Sequence, residues 1–587
     1  MSAVSSPDQA GVASPAAAPD EAPAPWKIAL DRWTGGWKGP VLAALAVMLA
    51  AVPGLMALPP LDRDEARFAQ ASAQMLETGD FVNIRFQDAP RDKKPVGIHW
   101  LQAASVKLVS SAEVRGIWAY RLPSLLGAAL AAAACAWGAT AFWGARRGFL
   151  AGAVLGTSFL LSSEAFIAKT DAVLCGAVVL SMAALGRLYG EARGGAPAGR
   201  SANTLFWAGM ALAVLVKGPV GPMVAGLALV TLALWDREAG WMRRLHWVWG
   251  LVLVVAVVGP WAVAITVATD GRFWTSAVQG DLAPKLAGGQ ETHGAPPGYH
   301  LLASPLLLFP AAAVLPAALI VAWRRRAEPG VRFAVAWLVP AWLVFEAMPT
   351  KLVHYPLPLY GALAWLAAAA CTATPPRWSR RVGAGLSLLA GVALAAVGVL
   401  AADRYGDSAA RVWAIVVGVL LLSAAGAAAV GLRRRSTEAG LLIAAAVGLI
   451  AHGALAGGLA PRLRTLWVSE RLAQALERAG LDPRDGVTPG PVAATGFSEP
   501  SLVFALGTPT ELVDPVEAAD AIDEGRPAMV EAGKEKAFRA ALADLGVQAT
   551  SVATIRGFDY SDGDPVAITL WRPTLPPPIP RVQEPAL

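Results

Sequence analysis

The feature that most constrains this chain is a series of long apolar segments between residues 39 and 460. An α-helix needs about 20 apolar residues to cross a bilayer, and only helices or closed β-barrels satisfy their backbone hydrogen bonds there. These segments are too long and continuous for barrel strands. We therefore expect an α-helical integral membrane protein with about 13 transmembrane helices. They are predicted at residues 39–59, 119–143, 147–164, 171–187, 203–216, 218–235, 246–268, 300–323, 331–348, 352–372, 382–402, 411–432 and 438–460.

The composition agrees with a membrane protein. Hydrophobic residues make up 55% of the 587 residues and charged residues only 16%, whereas about 25% is usual in soluble domains. The net charge of +6 comes from short arginine clusters between apolar segments, so we expect no nucleic-acid partner. Cys135, Cys175 and Cys371 lie in or beside apolar segments without a CxxC pair. We expect neither a disulfide framework nor a thiolate metal site.

The arginine clusters predict the orientation. They occur in every second loop, and the loops that carry excess Lys and Arg are cytoplasmic. The clusters are Arg146–Arg147, Arg187/Arg193/Arg200, Arg243–Arg244, Arg324–Arg326, Arg380–Arg381 and Arg433–Arg435. The N-terminus is therefore expected in the cytoplasm and, with an odd number of spans, the C-terminal region on the opposite face.

Two segments flank the membrane domain predicted at residues 39–460. The chain is rich in Ala, Pro and Ser at its start, and residues 1–38 are expected to form a disordered cytoplasmic tail. In residues 461–587, helical patterns near 467–480, 499–507 and 534–545 alternate with β-like runs at Val492–Phe497 and Val566–Trp571. This alternation predicts a small extracytoplasmic α/β domain that ends in a Pro-rich tail.

The segment 60–118 breaks the charge pattern, because it lies on the outer side and carries eight Lys and Arg residues. The charge rule weakens in long loops, which is one explanation; cations that bind an anionic ligand are the other. An amphipathic helix is predicted from Asp64 onward, lying at the membrane surface. Asp64 and Glu65 begin it, so they either cap the helix or form part of a site beside the cations.

Other polar residues lie beside apolar segments. Lys94 precedes a proline and either contacts a phosphate or extends along the interface. Asp171 lies at the mouth of a predicted span, where acids are costly, and Lys217 lies between two short apolar segments, where a cavity is expected. The alternative for Asp171 is an N-cap.

The last cluster begins another predicted span. Its polar residues suit a phosphate headgroup, although a lone interfacial histidine is common. They are Lys351, His354, Tyr355 and Tyr360. The loop at 270–300 is long enough to be ordered by a substrate or to be disordered. Its polar residues are Asp281, Lys285, Glu291, His293 and Tyr299.

In this order and on one face, the motifs resemble those of membrane glycosyltransferases that use polyprenyl-phosphate sugars. The chain looks most like the lipid A aminoarabinose transferases and, more distantly, the protein O-mannosyltransferases of glycosyltransferase families 83 and 39. The motifs are Asp64-Glu65-Ala66-Arg67-Phe68, Gly79-Asp80-Phe81, Lys94-Pro95, His99-Trp100, Asp171, Lys217-Gly218 and Lys351-Leu352-Val353-His354-Tyr355-Pro356-Leu357-Pro358.

The resemblance implies a GT-C fold with surface helices in the first loop. It also implies inverting sugar transfer from undecaprenyl phosphate to a lipid A, other envelope glycan or protein acceptor, at the periplasmic face of the bacterial inner membrane. The expected catalytic residues are Asp64, Asp171 and Glu65, and the expected donor-phosphate ligands are Lys94, Arg67, Lys217, Lys351, His354 and Tyr355.

Two positions depart from the family pattern. Lys93 stands where a glutamate often precedes the Lys-Pro pair, and Val96 stands where a second proline is usual. Where that glutamate assists a metal, this chain has lost a ligand. We therefore expect no tightly bound divalent metal and no certain cofactor.

Two other functional classes stay open at this point. A secondary transporter predicts matching halves with broken helices near the bilayer midplane, and the chain has no matching halves. A non-catalytic scaffold leaves the acids and lysines of the outer loops unexplained.

Overall fold

The structure is a computed structural model that describes residues 24–288, 294–485 and 490–574. Most of the chain before residue 460 is helical. In chain order the helices are α1 (Pro25–Thr34), α2 (Lys38–Ala57), α3 (Asp64–Thr78), α4 (Gly97–Val109), α5 (Ile117–Gly156), α6 (Phe159–Glu164), α7 (Thr170–Ala192), α8 (Ala202–Lys217), α9 (Val220–Asp236), α10 (Trp247–Ala268), α11 (Arg272–Thr275), α12 (Ala283–Ala287), α13 (Tyr299–Leu307), α14 (Leu315–Arg324), α15 (Pro329–Ala347), α16 (Tyr360–Ala370), α17 (Arg377–Tyr405), α18 (Ser408–Arg433) and α19 (Thr437–Gly453). The first loop also contains a short hairpin of β1 (Arg85–Phe86) and β2 (Ala89–Pro90).

Among the described residues, eight helical stretches are long and apolar enough to cross a membrane, judged by length and composition. They are α2, α5, α7, α10, α15, α17, α18 and Thr437–Arg462. Four shorter apolar stretches accompany them, at Ala202–Lys217, Val220–Asp236, Ala311–Arg324 and Leu357–Ala370. These stretches coincide with the predicted spans, which confirms the α-helical multi-pass class; the count of thirteen stays a prediction.

Helix α5 covers two of the predicted spans. Its 40 residues are interrupted at Gly144, where φ is 79° and ψ is 175°. Glycine adopts a positive φ without steric cost, so the chain turns there and continues as a second helix. The predicted span 147–164 also contains a break, because the second half of α5 ends at Gly156 and α6 begins at Phe159.

Small residues bring α5 and α7 together. A methyl group on Gly176 would lie 2.4 Å from the carbonyl oxygen of Gly127, and one on Gly127 would lie 2.6 Å from the Cα of Val173. Such close contacts need a glycine on at least one of the two helices, and helices in membranes commonly associate through small residues. The contact places the beginnings of both helices, with Arg121 and Asp171, at the same face of the bundle.

Helix α3 is present as predicted, but its surroundings differ from the expectation of a helix lying at the membrane surface. Both its apolar and its polar side chains are buried, including Gln70, Ser72 and Met75. The Gln70 side-chain amide donates to the hydroxyl of Thr508 at 2.7 Å, so the C-terminal region covers the helix. The sequence pattern identified the helix correctly but could not show that protein, rather than lipid, lies above it.

The C-terminal region folds as a small α/β domain, which confirms the prediction. Its elements are α20 (Val468–Arg478), β3 (Ala493–Thr495), α21 (Pro500–Leu506), β4 (Glu511–Leu512), α22 (Pro515–Asp523), β5 (Ala528–Glu531), α23 (Glu535–Leu545), β6 (Ala549–Asp559) and β7 (Asp564–Pro573). The strand order is β4-β3-β5-β7-β6, with β3 parallel to β4 and β5, and β7 antiparallel to β5 and β6. Along β5, Ala528 and Val530 enter one core and Met529 enters the other, so both faces of the sheet are covered.

The N-terminal tail needs a correction. We expected disorder over residues 1–38, yet Pro25–Thr34 forms helix α1. The guanidinium of Arg146 donates to the Asp31 carboxylate, and this ion pair holds α1 against α5. Residues 1–23 and the predicted Pro-rich tail after residue 574 lie outside the described residues.

Candidate functional site

Helix α3 begins with two acids, and Glu65 is the buried one. It is 1% exposed, and its carboxylate accepts two hydrogen bonds of 2.8 Å from the guanidinium of Arg121. The backbone N–H groups of Leu61 and Ala168 donate two more, at 2.8 and 2.7 Å. Four bonds use the acceptor sites of a carboxylate. Glu65 therefore ties α3 to α5 and to the segment before α7. The catalytic role that we expected for Glu65 stays a prediction.

Asp64 has the opposite surroundings. It is exposed, and its side chain makes no hydrogen bond with any residue that the structure describes. Its charge acts on two cations, Arg91 and Lys169. The preceding residue, Arg63, has a φ of 62°, which is uncommon outside glycine, and donates to the carbonyl of Ser561. The C-terminal domain thus holds the turn from which the free carboxylate of Asp64 extends.

Lys94 lies beside the loop that follows α10. Its ammonium is 2.9 Å from one oxygen of Asp281, and the ammonium of Lys285 is 2.6 Å from the other oxygen. Burial lowers the pKa of Lys94, and the charge of Lys285 lowers it further. Although burial alone would raise it, the two lysines hold the pKa of Asp281 below its ordinary value. Two lysines thus pair with one carboxylate. The three side chains together keep a net positive charge, which suits the binding of a phosphate.

Five ionisable residues form a second cluster, the α7 cluster, at the end of α6, the beginning of α7, the end of α8 and the segment before α16. Lys169 lies 3.0 Å from Glu164 and 3.7 Å from Asp171. Lys217 pairs with the other oxygen of Asp171. His354 lies between the two acids, 3.9 Å from Glu164 and 3.7 Å from Asp171. All five side chains are largely buried, so each charge depends on its partners.

The α7 cluster, Asp64 and Lys94 form one electrostatic neighbourhood. The charge of Asp64 acts on Lys169, and the charge of Lys94 acts on His354. Lys217 also lies over the ring of Tyr355, 5.7 Å from its centre. Segments that are far apart in the sequence therefore bring most of the predicted site residues together.

Lys351 does not join this neighbourhood in the way that we expected. It is 4% exposed, and its ammonium donates to the backbone carbonyls of Glu346, at 2.9 Å, and Met348. A lysine at this place satisfies carbonyl groups that the end of a helix leaves unpaired. The contacts therefore indicate that Lys351 caps α15. Its role as a donor-phosphate ligand stays a prediction.

Two arginines flank Asp64. Arg67 is partly buried and acts electrostatically on Arg91. The guanidinium of Arg91 lies 4.7 Å from the centre of the Phe68 ring and has no ion pair within the described part of the chain. Burial lowers the pKa of Arg91 to about 10. The arrangement makes Arg91 an additional candidate for anion binding, which was not predicted from the sequence.

Other members of the site were also missed. Glu164 and Lys169 lie within seven residues of Asp171, but nothing in their sequence context separates them from ordinary interfacial residues. Arg121 lies in an apolar helix, where an arginine is itself a signal of a buried partner. Glu291 and His293, which we named in the loop at 270–300, lie outside the described residues.

Two of the recognised motifs are connected structurally. The indole N–H of Trp100 donates to the carbonyl of Phe81 at 2.8 Å, so the His-Trp and Gly-Asp-Phe motifs hold each other. His99 is buried, 3.0 Å from the hydroxyl of Ser72, and burial lowers its pKa to about 3. A histidine that stays neutral inside the protein supports the loop; it does not take part in the charged neighbourhood.

The C-terminal domain contacts the turn before Asp64 through a group of acids. The backbone N–H of Asp62 donates to the hydroxyl of Tyr560 at 2.7 Å. Burial raises the pKa of Asp62 to about 6 and that of Glu499 to about 7, and it also raises the pKa of Asp559. When ionised, these carboxylates repel one another, so the contact favours their protonated forms.

Comparisons with known proteins connect this geometry to a family. No protein-family model matches the chain. The undecaprenyl phosphate-α-4-amino-4-deoxy-L-arabinose arabinosyl transferase of Aeromonas salmonicida is 29% identical over 329 residues, which is 54% of this chain and 58% of the relative. The protein of the same name from Pseudomonas paraeruginosa is 30% identical over 53% of this chain and 57% of the relative. The chain thus matches a little over half the length of these curated relatives.

A solved structure covers far more of the chain. The crystal structure of ArnT from Cupriavidus metallidurans bound to undecaprenyl phosphate has a TM-score of 0.70 and 22% identity, over 90% of this chain and 97% of that chain. Its apo state gives a TM-score of 0.69 over the same shares. The chain has the GT-C fold of ArnT, and its predicted resemblance to the polyprenyl-phosphate-dependent membrane glycosyltransferases is confirmed.

Proposed function

We propose that this protein is an inverting glycosyltransferase that moves a sugar from an undecaprenyl-phosphate donor to a lipid A, other envelope glycan or protein acceptor. The supporting observation is one neighbourhood that combines the unpaired carboxylate of Asp64 with the ammonium groups of Lys94, Lys169 and Lys217. A phosphate leaving group needs cations, and an acceptor hydroxyl needs a base. The names of the relatives make 4-amino-4-deoxy-L-arabinose the first sugar to test.

The donor phosphate is proposed to lie between Lys94 and Lys217. Cleavage of the sugar–phosphate bond leaves negative charge on the lipid phosphate, and preorganised cations stabilise that charge as it develops. Asp281 pairs with Lys94 and Asp171 pairs with Lys217, which holds both ammonium groups in place. Because Lys285 also pairs with Asp281, these three lysines and two acids keep a net positive charge. Tyr355, beside Lys217, is the proposed hydroxyl group at the same end.

Asp64 is the proposed general base. Its carboxylate is exposed and free of hydrogen bonds to the described residues, so it is available to take the proton of an acceptor hydroxyl as the new glycosidic bond forms. If the acceptor is already an ionised phosphate, no proton has to leave. In that case Asp64 orients the acceptor or stabilises positive charge on the sugar ring.

The proposed location is the bacterial inner membrane, with the N-terminus in the cytoplasm and the site and C-terminal domain in the periplasm. The supporting features are the arginine clusters of alternate loops. Alkaline phosphatase fused to the C-terminus should be active. Green fluorescent protein fused at the same place should be exported through the same membrane pathway and should not fluoresce. A bright fluorescent fusion with inactive phosphatase would contradict the orientation.

A reconstituted transfer assay tests the activity. The purified protein in detergent should convert undecaprenyl-phosphate aminoarabinose and lipid A into modified lipid A, detected by mass spectrometry. Lys94→Ala should reduce turnover by about 100- to 1,000-fold, the usual cost of losing one group that stabilises transition-state charge. Lys93→Ala is the matched control, because Lys93 is the exposed neighbour. Absence of product from the wild-type protein with every donor and acceptor class, or equal losses in both variants, would contradict the proposal.

A further inference from the structure

Four arginines line one cavity in the C-terminal region, away from the site described above. The cavity has a volume of about 540 Å³ and is lined by Arg464, Arg471, Arg478 and Arg556, together with residues 405–407. Arg471 and Arg478 are seven residues apart on α20 and therefore face the same direction. Arg556 comes from β6, so separate elements of the fold contribute to the lining.

These arginines have no acidic partner among the described residues. The guanidinium of Arg471 donates to the backbone carbonyl of Arg556 at 2.7 Å, and that of Arg478 donates to the carbonyl of Gln474 at 2.9 Å. Burial lowers the pKa of Arg471, and the charge of Arg464 lowers it further. The positive charges that line this cavity therefore repel one another.

Other arginines of the same domain are paired. Arg484 lies 2.7 Å from Asp482, Arg526 contacts Glu511 and Glu524, and Arg539 lies 2.6 Å from Glu535. The carboxylate that lines the cavity, Asp407, accepts a hydrogen bond of 2.9 Å from the backbone of Ala410 and caps α18. The cavity is thus the place in this domain where four arginines without an acidic partner among the described residues come together.

The cavity lies where the chain leaves the membrane helices. Residues 405–407 connect α17 and α18, both of which are long and apolar enough to cross a membrane. Apolar side chains of these helices near the cavity are exposed, at 68% for Leu400, 61% for Val412 and 64% for Ile415. A ligand at this place meets cations on one side and lipid-facing apolar surface on the other.

We propose that this cavity binds the phosphate headgroup of an anionic membrane lipid, whose acyl chains lie along α17 and α18. Guanidinium groups bind phosphate through paired, charge-assisted hydrogen bonds, and arginine is well suited to such contacts. The neighbouring apolar surface favours a lipid over a free phosphate. This binding site shares no residue with the proposed transferase site and does not depend on that activity.

The test measures lipid binding by the full-length protein. Native mass spectrometry in a mild detergent gives the occupancy as a function of cardiolipin concentration, with phosphatidylethanolamine, a zwitterion of zero net charge, as the comparison. Each basic residue near a membrane surface contributes about fivefold in affinity, equivalent to about 1 kcal/mol, so Arg464→Gln with Arg478→Gln should weaken cardiolipin binding by roughly 25-fold. Arg464→Lys with Arg478→Lys keeps the charges and should retain most of it.

Arg539→Gln with Arg572→Gln is the matched control, because both arginines belong to the same domain and neither lines the cavity. Thermal unfolding of each variant without lipid checks that the fold is intact. The proposal is supported if only the cavity variant loses cardiolipin binding and phosphatidylethanolamine binding is unchanged. Equal binding by the cavity and control variants would overturn it, as would inorganic phosphate that displaces cardiolipin at millimolar concentration, since the cavity would then take a soluble anion.

Discussion

The two acids that begin α3 can be compared directly, because Glu65 belongs to a buried structural contact and Asp64 to the proposed transferase site. Glu65 is enclosed by Arg121 and two backbone N–H groups, with every acceptor site used. Asp64 extends from the same helix start toward Lys169 and Arg91 without a hydrogen bond to the described residues. Two neighbouring carboxylates of equal charge thus acquire different surroundings from partners that are remote in sequence.

Replacing Asp64 should have the largest effect on activity. Asp64→Asn keeps the shape of the side chain but removes the base, so transfer should fall by about 100- to 10,000-fold, the usual contribution of general base catalysis. The unfolding temperature should stay close to that of the wild type, because this carboxylate makes no hydrogen bond with the described residues.

The matched control is Asp88→Asn, in the same loop at an exposed position. It should leave both transfer and stability near wild-type values. If Asp64→Asn transferred sugar at the wild-type rate, Asp64 would have no place in the mechanism; if it unfolded at a much lower temperature, its role would be structural like that of Glu65.

Replacing Glu65 should show the reverse pattern. Glu65→Gln leaves the fully buried guanidinium of Arg121 without its counter-charge. Breaking such a buried pair costs about 3–5 kcal/mol, so the unfolding temperature in detergent should fall clearly. Thermal unfolding of the purified variant measures this effect. Unchanged stability would show that the pair contributes nothing to the fold and would remove the contrast with Asp64.

A smaller effect on activity is expected from replacing Asp171, one of the two acids of the α7 cluster. Asp171→Asn removes the charge that holds Lys217, Lys169 and His354 in position. A displaced catalytic group costs up to about 100-fold, and the loss should appear as a higher KM for the donor together with a lower kcat. Asp171→Glu should recover part of both parameters. If Asp171→Glu recovered no activity and both variants had a normal donor KM, a positioning role for Asp171 would be contradicted.

The smallest expected effect concerns pH. The pKa values of Asp62, about 6, and Glu499, about 7, are raised, so the folded protein binds more protons than the unfolded chain between about pH 4 and 7. Stability should therefore decrease as pH rises through this window, by roughly 1–2 kcal/mol after allowance for solvent screening. Thermal unfolding from pH 5 to 8 measures it.

Glu499→Gln provides the comparison for this prediction, since the amide cannot ionise. The variant should show a flatter pH dependence than the wild type, while Glu470→Gln, on the same domain but outside the acid group, should not. A stability that rises with pH across the window, or equal slopes in all three proteins, would contradict the interpretation of this contact.

Much of the fold follows from the sequence because its signals are local. Apolar length specifies where helices cross the membrane, and the positions of Gly144 and Gly156 only adjust where they break. The alternation of strand and helix patterns likewise identified the α/β domain, although β4, β5, β6 and α22 were not predicted. The order of short motifs then indicated the resemblance to membrane glycosyltransferases, and the similar relatives and the fold shared with ArnT agree with that resemblance.

The site was less predictable because it depends on contacts between distant segments. Lys351 follows a helix whose carbonyls it satisfies, and Glu65 is neutralised by an arginine 56 residues away. Neither fact has a local signature. Arg91 belongs to a run of charged residues, and only the packing against Phe68 distinguishes it from an exposed interfacial cation. Spatial neighbours, more than residue types, decide these roles.

The central claim is that Lys94 and Lys217 meet at the phosphate of one prenyl donor, beside Asp64. A cryo-electron-microscopy structure of the protein with undecaprenyl phosphate tests this most directly. We expect the phosphate oxygens within about 2.7–2.9 Å of both ammonium nitrogens, the length of a charge-assisted hydrogen bond. A phosphate bound elsewhere, with the Lys94–Asp281 and Lys217–Asp171 pairs unchanged and no contact to either lysine, would contradict it.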